Sequence, residues 1–117
     1  MNSQHDGAGA EQTRKLRELN VTLRREMPHG HVIITRAVGQ LELATLLEIT
    51  KAVREFDAFT ADDEPWDEHD FGQVIVDGQS YFWKIYAHDP GMASGSTDTT
   101  DEAATRRIIR IMTENEL

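Results

Sequence analysis

QVIVDGQSYFWKIYAH, residues 73–88, settles more of the fold than any other stretch. Two β-rich runs flank Asp77-Gly78, and both positions of such a turn tolerate positive φ, so the segment predicts a hairpin. In its second run Tyr81, Trp83 and Ile85 alternate with Phe82, Lys84 and Tyr86. Aromatics on both faces imply a strand covered at least partly on each side.

Working outward, EQTRKLRELNVTLRREM (residues 11–27) places Leu16, Leu19, Leu23 and Met27 at helical spacing, and Pro28 and Gly30 then stop the helix. HVIITRAV (31–38) is short and β-branched, which predicts a buried strand. From Leu41 to Phe56 the apolar positions Leu43, Leu46, Leu47, Ile49, Val53 and Phe56 form one broad helical face, and Phe59 extends it. Beyond the hairpin, DPGMASGSTDTT (89–100) is turn-rich. Thr99 with Glu102 fits a capping box. Ala104, Ile108, Ile111 and Met112 then make an apolar stripe with Arg106, Arg107 and Arg110 largely off it, which predicts a last helix. The order α-β-α-β-β-α implies an α+β fold, a three-stranded and mostly antiparallel sheet packed with about three helices. Residues 1–10 are expected to be a disordered tail and residues 11–117 a single domain.

A chain of 117 residues with 38% apolar and 28% charged side chains has the balance of one folded domain rather than a disordered segment. It has no cysteine, hence no disulfide, no thiolate nucleophile and no cysteine-based metal site. Neither a signal peptide nor an apolar run long enough for a bilayer stands out, and a cytoplasmic location is the expectation. The net charge of −9 is unevenly placed. Residues 1–56 hold seven acids and eight bases, residues 57–117 fourteen acids and four bases. Such an acidic half repels nucleic acid and draws basic protein surfaces, so a protein partner without direct nucleic-acid contact is expected. The early bases Arg14, Lys15, Arg17, Arg24 and Arg25 either pair with the chain's own acids or serve a partner.

Within DDEPWDEHD (62–70) lie six carboxylates and one histidine. Pro65 keeps the run from being regular throughout. A metal site would draw on His29 and His31, on Glu68, His69 and Asp70, or on His88 with Asp89. In an extended Glu68-His69-Asp70, however, His69 points away from its neighbours, and neither H-E-x-x-H nor an EF-hand pattern occurs. Acid-base chemistry would centre on His69, held protonated among carboxylates and oriented by Glu68 or Asp70. It lacks a G-x-S-x-G nucleophile, and Gly91–Ser96 has no phosphate-loop lysine. No metal, cofactor or catalytic residue is therefore assigned.

Nucleic-acid mimicry needs more than the run alone. A duplex carries one charge per ~1.7 Å. Nine extended residues span at most about 30 Å, so six carboxylates give roughly one per 5 Å. Asp98, Asp101, Glu102, Glu114 and Glu116 could supply a second row. Trp66 and Phe71 either anchor a basic partner or fold inward and pin the loop.

EPWDEHDFG, FWKIYAHD and TDEAATRRIIRIMTENEL resemble a small proteobacterial family catalogued as domain of unknown function 3768. Its pattern runs N-D-P-Y-G-E-H-D-F-G, F-W-K-I-D-Y-Y-D, then S-P-D-P-A-D-P before a helix rich in T-R-V-L-T-I-M. The likeness covers roughly residues 19–117. It implies no activity. The association of such genes with plasmid and integrated-element cargo implies an accessory or anti-defence role. Tyr86 stands where the family has an acid and His88 where it has an aromatic, which weakens an enzyme reading. The shared blocks suggest that Glu68 or Asp70 pairs with Lys84.

The expectation is thus an acidic protein-binding accessory, an inhibitor of a CRISPR or restriction effector or another nucleic-acid-handling complex. Asp62, Asp63, Glu64, Asp67 and Glu68 would steer and contact, with Trp66 as anchor. The rival is a metal-dependent or acid-base enzyme at His69 and Asp70, and a third reading is a homodimer subunit.

Overall fold

A computed structural model describes residues 3–60, 68–92 and 94–117. A long helix, α1 (Ser3–Glu26), leads into a short strand, β1 (Val32–Ile34), a single turn, α2 (Arg36–Gly39), and α3 (Leu43–Arg54). The hairpin β2 (Phe71–Val76) and β3 (Gln79–His88) follows, and after a 3-10 turn at Glu102–Ala104 comes β4 (Arg106–Thr113). The strands form one mixed sheet in the order β1-β4-β3-β2, with β1 parallel to β4 and the other neighbours antiparallel. No helix among the described residues is long and apolar enough to cross a membrane.

The α+β class holds, and several details differ from expectation. The sheet has four strands, because the segment expected to be the last helix is β4. A helix through Ala104, Ile108, Ile111 and Met112 would have left Ile109 on its arginine side. As a strand between two neighbours the segment buries Ile108, Ile109, Ile111 and Met112, using both faces. Its β-branched residues also favour the pleated backbone. The expected Thr99–Glu102 capping box is replaced by Asp101, whose carboxylate accepts from the Ala103 N–H at 2.9 Å. The first helix starts at Ser3, within the stretch expected to be a tail.

The hairpin turn is as expected, with φ of 53° at Asp77 and 77° at Gly78. α1 ends where Met27 turns left-handed, its N–H still bonded to the Leu23 carbonyl at 2.8 Å. The helices lie on one face of the sheet. There Leu23, Val38, Ile49 and Val53 pack on Val74, Trp83, Ile85, Ile109 and Ile111. Only part of the broad apolar face of α3 is used, since Leu43 and Leu47 are 69% and 58% exposed.

Two sequence blocks owe their composition to one contact across the hairpin. Gly72 is in register with Trp83, and a Cβ at Gly72 would stand 2.6 Å from the indole Nε1 and 2.9 Å from Phe56 Cζ. Only glycine lets the ring lie flat on the neighbouring strand. Trp83 is fully buried. Removing about 200 Å² from water contributes roughly 5 kcal/mol, which exceeds the ~1–3 kcal/mol cost of its unpaired N–H.

Candidate functional site

The described end of the acidic run, Glu68 to Asp70, is fastened to the rest of the fold at three points. Asn20 of α1, 2% exposed, donates to the Glu68 carbonyl at 2.9 Å. His69 takes φ of 55°, which a histidine tolerates better than most residues. Its ring stacks on Phe59 with centroids 3.7 Å apart and planes 6° from parallel. The Asp70 carbonyl accepts from the Ile85 N–H at 2.8 Å, continuing the β2–β3 ladder.

Phe59 rests edge-on against Phe56 and Trp83, at 4.8 Å and 6.1 Å between centroids. Beneath them lies Arg24, 1% exposed, its guanidinium 5.6 Å from the Phe59 ring and 5.2 Å from that of Trp83. The same guanidinium donates to the Val53 and Arg54 carbonyls at 2.8 and 2.9 Å, capping the negative end of α3. Burial, and then the nearby Arg25 charge, lowers its pKa from the usual arginine range. Thus Arg24 has a structural role. Arg14 pairs with Glu11 and Glu18 on its own helix. Two of the five early bases, Arg14 and Arg24, are thus accounted for within the chain.

Glu68 and Asp70 line a cleft of about 310 Å³ with Leu16, Asn20, Thr99 and Arg107. Burial, then the Asp70 charge, pushes the Glu68 carboxyl above its usual range. Arg107 is 5% exposed and donates to Asn20 Oδ1 at 3.0 Å and to the Thr99 carbonyl, with Glu102 at 3.6 Å. Burial lowers its pKa, opposed by Glu102. Asn20 therefore joins the acidic segment to the 96–100 loop through Arg107. No residue pattern points to this link, because a lone asparagine in a helix has no spacing signature.

Of the residues singled out from sequence, Asp62, Asp63, Glu64, Trp66 and Asp67 lie outside the described residues. Glu68 and Asp70 share the cleft, while the His69 ring is taken up by Phe59. Lys84 is on the other face of the sheet, its Nζ 5.7 Å from the Tyr86 ring. The expected pairing of Lys84 with Glu68 or Asp70 is absent because successive β residues face opposite ways. His31 Nδ1 lies 2.8 Å from the Arg107 carbonyl, and no cluster of metal-ligating side chains forms among the described residues. Phe71 is on the exposed face, 36% exposed, so it does not pin the loop inward.

Residues 34–116 match the family described as Protein of unknown function (DUF3768). The chain belongs to that family. For DUF3768 the Gly72–Trp83 contact gives the likeness of the two blocks a physical basis in this chain: they are cross-strand neighbours. No curated protein and no solved structure matches the chain.

Proposed function

We propose that this DUF3768 protein is a partner-binding accessory whose acidic segment contacts a basic protein surface, such as that of a nucleic-acid-handling complex it would inhibit. The observation that carries the reading is the Phe59–His69 stack. It holds Phe59 and His69, described residues on the two sides of the acidic stretch, against each other. Fixing the residues that flank a connecting segment to a rigid scaffold is a common way to present a contact surface. Six carboxylates within residues 62–70 give it the charge to steer a basic partner.

The test is a tagged pull-down from a bacterial lysate, read by mass spectrometry. Beside it run a variant with Asp62, Asp63, Glu64, Asp67 and Glu68 changed to amides, and a Phe59→Ala variant that removes the stack on His69. Capture of one complex by the native protein, abolished in the first variant and reduced in the second, supports the proposal. Capture insensitive to both variants and to salt overturns it. A second reading, acid-base chemistry, draws on the elevated Glu68 carboxyl beside Asp70 and so centres on Glu68 rather than His69. Calorimetry with zinc, manganese and magnesium separates the two. Binding abolished in Glu68→Gln supports the second reading, and no heat with any of the three removes its metal-dependent form.

A further inference from the structure

The sheet face turned away from the helices has an order of its own. Across its four strands one row reads Ile33, Arg110, Lys84, Phe71. On one side of it lies the row Met112, Phe82, Gln73, and on the other Ile108 and Tyr86. Two adjacent cations thus have aromatics around them, Phe71 in their own row and Phe82 and Tyr86 in the rows beside it, with Phe71 and Phe82 stacked at 6.0 Å and 21°. Of the four bases in residues 57–117, Lys84, Arg106 and Arg110 are on this face.

Lys84 and Arg110 stand directly opposite each other on neighbouring strands. Like charges so placed repel. Neither has an ion-pair partner among the described residues, although Arg14 and Arg107 do find acids. An anion over the pair would relieve the repulsion, and flat groups on either side would meet the Phe71–Phe82 pair and the Tyr86–His88 pair, whose rings stack at 5.9 Å and 16° with Lys84 Nζ 5.7 Å from the Tyr86 ring. Beside Tyr86, Arg110 helps to line an open depression of about 590 Å³.

We propose that this face binds single-stranded nucleic acid, with a phosphate over Lys84 and Arg110 and unstacked bases on Phe82 and Tyr86. Rows two residues apart on a strand are separated by ~7 Å, so phosphate and base contacts alternate along β3. Stacking platforms among cations are how single strands are held without regard to sequence. Other occupants suit the face less well. A second copy packed by two-fold symmetry would set this cation row against itself. An acidic peptide satisfies the cations and leaves the aromatics unused, and a duplex keeps its bases out of their reach. This departs from the expectation of no direct nucleic-acid contact: the net charge of −9 opposes approach, but at physiological ionic strength exposed charges beyond ~8 Å are largely screened, so the local cations decide.

Fluorescence anisotropy with a short labelled DNA single strand of mixed sequence, over a salt series, tests the proposal. Binding that neither the matching duplex nor polyglutamate competes away is the expected result. Tyr86→Leu should weaken it about 5- to 100-fold. Lys84→Gln with Arg110→Gln should lower the salt slope by about 0.7 for each phosphate left without its cation. Circular dichroism confirms folding of each variant, and Lys84→Gln alone serves if the double variant is unfolded. No binding by the native protein overturns the proposal. So does equal competition by polyglutamate or duplex, binding unchanged in every variant, or a dimer in light scattering that masks the face. The anisotropy assay reads nucleic-acid binding and the pull-down reads protein capture, so failure of this proposal is distinguishable from failure of the partner-binding proposal.

Discussion

A methyl group at Gly72 would overlap both the Trp83 indole and Phe56, and all three belong to a packed layer that cannot simply give way. Gly72→Ala is expected to cost about 1–3 kcal/mol, seen as a lower urea midpoint with an unchanged slope. Asn20→Ala should cost a similar ~1–3 kcal/mol, because it strands the Glu68 carbonyl and one arm of Arg107. Glu68 behaves in the opposite sense. Its pKa is raised in the folded state, so folding favours its protonated form. The associated stability is complete below the ordinary value of 4.5 and is lost as pH rises through the elevated folded value. Glu68→Gln should therefore raise the urea midpoint at neutral pH, with the advantage vanishing in acid.

Among the elements, the 3-10 turn Glu114–Glu116 locks onto the start of α2. Glu116 accepts from the Thr113 N–H at 2.8 Å, the Thr35 hydroxyl at 2.5 Å and the Ala37 N–H at 3.3 Å. These donors hold its pKa at about 2, below the usual 4.5. The sign is that of a depressed carboxylate: the stabilisation is present above pH 4.5 and is lost as pH falls towards 2. Urea midpoints measured across that window should fall more steeply for the native protein than for Glu116→Gln. The hairpin and α3 are legible because a turn dipeptide and a periodic apolar face are local signals. β4 is not, since Ile108-Ile109-x-Ile111-Met112 satisfies a helical stripe and a doubly buried strand alike, and only its place between β1 and β3 decides. The Phe59–His69 stack is half legible. Phe59 and His69 each stand out in the sequence, but their stacking needs a left-handed backbone at His69 that no residue pattern announces.

At the scale of the whole molecule, the Phe59–His69 stack lies at the edge of the sheet, where Phe59 shares a cleft with Phe71 and Phe82, and the cations Lys84 and Arg110 lie on the face turned away from the helices. Salt should act on each through its own charges, and the amide variant and Lys84→Gln should each alter one salt dependence and leave the other unchanged. The strand order has a further consequence for the birth of the protein. β1 pairs with β4 across a separation of 109 − 32 = 77 residues, and β4 also closes the inner edge of β3. While the chain is growing, β1 has no strand to join and the hairpin has one edge too many. Such edges recruit other chains. Native assembly of the sheet must await synthesis of β4, and a nascent chain stalled before Arg106 should associate with its neighbours or with a chaperone.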